Sequence, residues 1–382
     1  MGFHEFSSPY DWSRIAAYKR TAKAAFGGMI DLSVGSPVDP VPDSVRKALA
    51  VAANDPNAYG YPATAGTADL RAAIAEWFSA TRNVDLRAIH ADVVPTVGSK
   101  EGVALMASLL HFGEDDVVVQ PKVSYPTYEI GTQLAGAQVL KVDDVADVAS
   151  WRNVPGVKAV WVNSPCNPTG EVYSAERMAG IVAAAREIGA VVLSDECYAL
   201  MQWRGATNSA DGDPLQSTPC ALRSDVCAGS AEGVLVLYSL SKQSNMAGYR
   251  TAFIAGDESL IASMSAYRKQ IGQIIPGPVQ AAMAAGLRDL ESVKVQHARY
   301  RERLGVLVSA LRAYGYCTDM PDGALYVWVR AKSGDCWTDM EQLAKIGIIA
   351  SPGEFYGAPE CLRFSATASD EAIASAAERL AR

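Results

Sequence analysis

Three side chains placed close together in sequence could do amine and phosphate chemistry: Ser239, Lys242 and Arg250. Ser239 lies three residues before the lysine and Arg250 eight after it. A lysine held near the protein interior loses the hydration of its ammonium, so its amine becomes available as a nucleophile toward carbonyls. A hydroxyl and a guanidinium nearby suit a phosphate dianion. Taken alone, Lys242 is an ordinary loop lysine, and its company has to decide. The run Val234-Leu235-Val236-Leu237 just before it is short, apolar and partly β-branched, as a strand buried on both faces would be.

The elements that must position these groups read as an α/β chain. Short apolar runs at Asp116–Val119, Ala159–Val162, Ala190–Leu193 and Val234–Leu237 alternate with helical stretches, which predicts a mainly parallel central sheet flanked by helices. Three of the runs end in polar residues: Asn163 and Ser164, Ser194 and Asp195, then Ser239. Ligands in open α/β sheets bind beyond the carboxyl ends of the strands, so these ends define the expected site. Gly98-Ser99-Lys100 opens a further helix whose free backbone N–H groups point at an anion, a weak signal by itself. Leu70, Ile74, Trp77 and Phe78 recur at helical spacing behind a Thr67 cap, predicting a helix to about Arg82. Ser8-Pro9-Tyr10-Asp11 reads as a helix start and Gly27-Gly28 as its end, with Asp31–Pro37 extended beyond it. Residues 204–233, polar and rich in Gly, Ser, Asp and Cys, read as a flexible or site-facing loop or a solvated insertion. After Pro276-Gly277-Pro278 the chain is helical and charged to about Arg312. It then turns to strands around Leu325–Val329, the pattern of a smaller α+β domain.

Composition narrows the partners. With 382 residues and 49% hydrophobic content the chain can fill two domains. Lys and Arg total 34 against 42 Asp and Glu, a net charge of −8, which argues against nucleic acid and anionic membranes and for a small-molecule partner. Seven scattered cysteines without a CxxC pair indicate neither a disulfide framework nor a zinc site and fit a reducing cytoplasm. Asp11, Arg14, Lys19 and Arg20 leave no apolar signal region, and no stretch is long enough to cross a bilayer. His4, His90, His111 and His297 lie far apart and read as structural or surface residues.

Ser164-Pro165-Cys166-Asn167-Pro168-Thr169-Gly170, Ser194-Asp195-Glu196-Cys197-Tyr198 and Ser239-Leu240-Ser241-Lys242 with Gly248-Tyr249-Arg250 together resemble the signature set of class I/II pyridoxal-phosphate aminotransferases of fold type I. The spacings, 28 residues from Asn167 to Asp195 and 47 from Asp195 to Lys242, match that set. Gly35, Tyr61–Gly66, Tyr125–Tyr128 and Leu362–Ser365 add to it. Through Asp31–Pro40, Pro278–Met283 and Pro352–Gly357 the chain is similar to the actinobacterial N-succinyldiaminopimelate aminotransferases.

The resemblance implies pyridoxal 5′-phosphate as cofactor and a role for each matched residue. Lys242 would form the Schiff base and then carry the proton between Cα and C4′, with Asp195 pairing the pyridine nitrogen. Asn167 and Tyr198 would hydrogen-bond the ring oxygen, and Tyr125 would stack on the ring. Ser239, Arg250 and the turn Gly98, Ser99, Lys100 would hold the phosphate, with Tyr61 reaching it from the neighbouring subunit of a homodimer. Arg363 would grip the substrate α-carboxylate, assisted by Gly35 and Asn167. It also implies a large cofactor domain over 45–283 and a small domain from 1–44 and 284–382. The implied reaction is ping-pong exchange of an amino group between glutamate/2-oxoglutarate and N-succinyl-2-amino-6-oxopimelate/N-succinyl-LL-2,6-diaminopimelate, in a cytoplasmic enzyme of lysine and diaminopimelate biosynthesis.

Three other readings stand beside it: an aminotransferase for aspartate, alanine or aromatic amino acids; a carbon–sulfur β-lyase; and a non-catalytic cofactor-sensing module of a regulator. The last expects an attached DNA-binding domain, for which the motifs beginning near Gly35 leave no room. No motif identifies what reads the distal end of the substrate. Lys100, Arg268 and Lys269 are candidates because a carboxylate needs a cation.

Overall fold

The computed structural model describes residues 10–203, 215 and 218–382. In chain order its strands are β1 (Ile30–Asp31), β2 (Ala91–Val97), β3 (Val117–Pro121), β4 (Gln138–Val142), β5 (Val157–Asn163) and β6 (Val191–Asp195). They continue as β7 (Val234–Ser239), β8 (Thr251–Asp257), β9 (Tyr326–Arg330), β10 (Ile348–Ile349), β11 (Ser351–Pro352) and β12 (Cys361–Ser365). Seven form one sheet in the order β2-β8-β7-β6-β5-β3-β4. Only β8 runs against its neighbours; the other pairings are parallel.

This topology explains why distant residues meet. β2, β7, β6 and β5 all end at one edge of the sheet, and the reversed strand β8 begins there, so Val97 pairs with Thr251 and Ser239 with Ala252. Asn163 is in register with Asp195 on the next strand. The turn at Gly98, the strand ends at Asp195 and Ser239, and Arg250 just before β8 are thereby gathered on one side. Every residue of β7 is buried, as an apolar run in the middle of a parallel sheet requires. Trp77 packs on Tyr238 of β7 with ring centroids 4.2 Å apart, fixing the helix Ala68–Trp77 to the sheet.

A second core gathers Ile15, Leu32, Tyr300, Leu304 and Phe364 around a three-stranded sheet ordered β11-β12-β9. β1 pairs in parallel with β10, so the N-terminal segment is tied to the C-terminal part of the chain.

Several local expectations need correction. The first helical turn is capped by Asp11, whose side chain accepts from Ser13, and the helix proper ends at Ala24; Ser8 and Pro9 lie outside the described residues. The Thr67 cap forms as expected, but Phe78–Arg82 continues as a wider π-helical turn. Of the 204–233 stretch, 204–214, 216 and 217 lie outside the described residues. Residues 218–233 are no solvated insertion: Thr218, Cys220, Leu222 and Cys227 are buried. The cause is a buried ion pair, Arg82–Glu196 at 3.0 Å, whose guanidinium also donates to the Pro219 carbonyl while Glu196 accepts from Ala221 N–H. A buried charge needs such partners, and the polar segment supplies them.

Candidate active site

Lys242 stands on a single turn, Leu240–Gln243, that follows β7 directly. Ser239 caps this turn, its oxygen accepting from Ser241 N–H. Leu240 and Gln243 on either side are buried, and Gln243 accepts from the Tyr238 hydroxyl at 2.7 Å. The turn is therefore rigid, and the amine is aimed into a cavity of about 260 Å³. There the ammonium donates to the Gly35 carbonyl. Burial lowers its pKa below the ordinary lysine value, and Arg363 lowers it further against the opposing effect of Tyr326.

Asp195, at the end of β6, lines the same cavity and is almost fully buried. Burial raises its pKa, while donors from Tyr128 and Cys197 oppose the rise. The Tyr128 hydroxyl donates to Oδ2 at 2.8 Å and Cys197 N–H to Oδ1 at 3.1 Å. Tyr128 is itself fixed by stacking on Trp161 at 4.4 Å. In the sequence it stands out only as the end of the Tyr125–Tyr128 match; its spacing of three from Tyr125 on a helical turn is the signal that both could face one site.

Asn167 is placed by its neighbour strand. Asn163 donates to the Asp195 carbonyl at 2.9 Å and accepts from Asn167 N–H at 2.8 Å, locking the Ser164–Gly170 loop over the strand ends. The Asn167 side-chain oxygen in turn accepts from Arg363 at 2.7 Å. Arg363, on β12, is buried, donates also to the Ser33 carbonyl at 2.8 Å, and lies 4.0 Å over the Tyr326 ring and 4.7 Å from that of Tyr356. Its Nε is buried without a hydrogen-bond partner. A guanidinium left with an unused donor in a buried position is suited to an anionic group in the cavity.

At the opposite end Gly98, with φ of +81°, brings the backbone so close to Arg250 that a Cβ there would collide with the guanidinium. Arg250 is held by the Ala247 carbonyl at 2.8 Å. Ser99, Lys100, Ser239 and Ser241 line the cavity beside it, and Tyr125 and Tyr198 complete the wall. Two cationic or donor-rich ends and a single carboxylate, Asp195, make the cavity a receptor for anions.

The cavity thus brings together Gly35, Ser99, Lys100, Tyr125, Asn167, Asp195, Tyr198, Ser239, Lys242, Arg250 and Arg363. Tyr61 is fully exposed, at 103%, and is not among the lining residues of its own chain. Arg268 is not on the cavity either: it is buried and forms a two-pronged pair with Glu101 at 2.8 and 3.2 Å. Glu101 also accepts from Val97 N–H, so this pair braces the Gly98 turn from behind. Lys269 is exposed and away from the cavity. Lys100 alone of the three candidate distal cations faces it.

Residues 27–380 match the family described as aminotransferase class I and II, and the chain belongs to that family. Its members depend on pyridoxal phosphate, and this chain is accordingly a pyridoxal-phosphate-dependent aminotransferase of fold type I. It is 40% identical over 373 residues to the 4-dedimethylamino-4-oxo-anhydrotetracycline transaminase of Streptomyces rimosus, covering 97% of this chain and 98% of the relative. It is also 40% identical over 377 residues to a probable aminotransferase of Mycobacterium tuberculosis, covering 97% and 84%. Among solved structures, the probable N-succinyldiaminopimelate aminotransferase of Thermus thermophilus aligns with a TM-score of 0.84 at 27% identity, over 97% of this chain and 99% of that one.

The residues present fit the cofactor: a Cβ-free cradle at Gly98 beside Arg250, and hydroxyls, a buried carboxylate and an amine lining one cavity at the strand ends. Removing the Tyr128 donor deprives Asp195 of a charged hydrogen bond, a loss of roughly 1.5–3 kcal/mol. Tyr128→Phe is therefore expected to weaken cofactor affinity about 10- to 100-fold. Equilibrium dialysis checks this, and unchanged affinity would show that Tyr128 serves only the core.

Proposed function

We propose that this chain transfers an amino group between glutamate and an α-keto acid carrying a second, distal carboxylate, with N-succinyl-2-amino-6-oxopimelate as the acceptor. One observation carries the reading. The cavity holding Lys242 contains the buried Arg363 and also, on its exposed rim, Lys100, a cation with no acidic partner among the described residues. Lys100 sits 5.6 Å from the ring of Tyr10, which with Trp12 lines the same rim. An amide-linked, tricarboxylic substrate would meet a fork at its reacting α-carboxylate, flat aromatic walls along its length and an ammonium at one of its two distal carboxylates.

When bound, the cofactor supplies the electron sink that makes the substrate Cα acidic. In this proposal Lys242 holds and moves the proton at that carbon. Asp195 would keep a positive charge on the pyridine nitrogen, Asn167 and Tyr198 would donate to the ring oxygen, and Tyr125 would cover a ring face. Ser239, Arg250 and the backbone of Gly98, Ser99 and Lys100 would hold the phosphate. Arg363, with Asn167 and the Gly35 backbone, orients the α-carboxylate so that the Cα proton faces Lys242. Exposed Tyr61 would complete a partner subunit's phosphate site in a cytoplasmic homodimer, with 45–283 as the cofactor domain and 1–44 plus 284–382 as the small domain. No helix among the described residues is long and apolar enough to cross a membrane.

The test is to offer N-succinyl-LL-2,6-diaminopimelate as sole amino donor to the holoenzyme and follow the cofactor spectrum. Conversion to the amine form is expected; no conversion would sink the proposed substrate. Lys100→Met should raise KM for this donor by roughly 5- to 30-fold, the worth of a partly exposed charged hydrogen bond. A change in cofactor affinity with KM untouched would instead assign the Lys100 ammonium to the phosphate. A second reading is favoured by the Streptomyces relative and the aromatic rim: a polycyclic ketone as amino acceptor. Turnover with such a ketone and none with the succinylated acid would select it.

A further inference from the structure

The cavity wall contains one more group that no motif assigns, Tyr326 on β9. It is buried, and its hydroxyl lies 2.7 Å from that of Tyr198. Its ring carries the Arg363 guanidinium on its face and packs so tightly on Gly35 that a Cβ there would overlap it. Tyr326 is thus held rigidly from two sides, by the segment at Gly35 and by β12, and its hydroxyl has been placed against Tyr198 by the fold rather than by a flexible side chain.

A phenol has one proton to donate and lone pairs to accept with. If Tyr198 gives its proton to the cofactor's ring oxygen, it cannot also give it to Tyr326. The 2.7 Å contact must then run the other way, from Tyr326 to Tyr198. We propose that Tyr326 is a positioning residue for the cofactor: by donating to Tyr198 it turns that phenol's only proton toward the ring oxygen and strengthens it as a donor. The inference rests on the reading of Tyr198 as the donor to that oxygen.

The electrostatics support the same direction. Burial pushes the Tyr326 hydroxyl up, but the cations Lys242 and Arg363, together with the hydrogen bond to Tyr198 itself, outweigh it and leave the phenol more acidic than usual. Tyr198 is pushed well up, by burial first and by Tyr326 next. The more acidic partner of a pair is the better donor. The titratable and charged groups facing Tyr326 are Lys242 after β7, Arg363 on β12, Cys197 and Tyr198 after β6, Tyr356 before β12, and Tyr300 on the helix Leu290–Ala313. The first two carry a positive charge, and no carboxylate is among these groups.

A donor on the ring oxygen withdraws charge from it and lowers the chromophore's hold on its own proton. The experiment is a spectrophotometric pH titration of the holoenzyme, free of substrate, for wild type, Tyr326→Phe, Tyr198→Phe and the double variant. Tyr326→Phe is expected to raise the midpoint by roughly half a pH unit to one unit, the net worth of a single hydrogen bond. Tyr198→Phe should raise it further, and the double variant should match Tyr198→Phe, because without Tyr198 the donation has no path to the cofactor. Replacement of Tyr326 by 3-fluorotyrosine, a more acidic donor of nearly the same shape, should lower the midpoint. An unmoved midpoint in Tyr326→Phe alongside a raised one in Tyr198→Phe, or additive shifts in the double variant, would overturn the inference alone. A midpoint unmoved in Tyr198→Phe would overturn it together with the reading on which it rests.

Discussion

Lys242→Ala is expected to lower steady-state transamination by at least about ten-thousand-fold, the range that loss of both a covalent anchor and an acid–base group implies. The reason is positional. Lys242 projects from a turn fixed by Ser239, Leu240 and Gln243, and the other amines and imidazoles of the described residues that could carry a proton are elsewhere: Lys100 is on the rim, and no histidine lines the cavity. The loss should fall on turnover, not on cofactor retention. Asp195, Arg250, Ser239 and the Gly98 turn are untouched by the substitution, so the variant should still bind the cofactor, which a hydride reductant would no longer fix to the chain and denaturation would then release. Near-normal turnover in the variant would refute the assignment of Lys242.

The second large effect belongs to Arg363. Its guanidinium is oriented by Asn167 and the Ser33 carbonyl and clamped between Tyr326 and Tyr356, which leaves Nε unpaired. A fork so held has lost its side-chain freedom in advance and can engage a carboxylate at little further entropic cost. Truncating one partner of a buried charge pair costs roughly 2–5 kcal/mol, so Arg363→Ala should lower kcat/KM for glutamate by about 30- to 5,000-fold. Arg363→Lys should recover little, since an ammonium cannot reproduce the fork and would leave Asn167 or Ser33 without its donor. Steady-state kinetics with an unchanged cofactor spectrum checks both variants. A fall of less than threefold would mean that the substrate carboxylate is read elsewhere.

Much of the site was legible because it lies at strand ends that advertise themselves. Asn167, Asp195, Ser239 and Lys242 each follow a short apolar run, and the parallel order of β5, β6 and β7 does the rest. The residues that support them were hidden for a common reason. Tyr128 acts on a carboxylate 67 positions away and Tyr326 on a hydroxyl 128 away; the spacing of Tyr128 from Tyr125 hints only at a shared face, and Tyr326 leaves no local trace. Arg268 misled in the opposite sense. It reads as a free cation near Lys269, yet it is spent on Glu101, 167 positions earlier. Residues 218–233 misled because polar composition usually means solvent, whereas here backbone and hydroxyl groups satisfy the buried Arg82–Glu196 pair. The short or unalternating strands β4 and β8 were not separable from their surroundings, although β8, running against β7, begins at the site edge directly after Arg250.

The roles assigned to Lys242 and Arg363 require that this cavity transfer an amino group and not eliminate one. A single turnover of the holoenzyme with glutamate decides between the two, with the cofactor absorbance and the products followed together. Loss of the aldehyde-form band, appearance of the amine form and release of 2-oxoglutarate in equal amount are the expected result. Release of pyruvate and ammonia from cystathionine, with glutamate leaving the cofactor band unchanged, would contradict it.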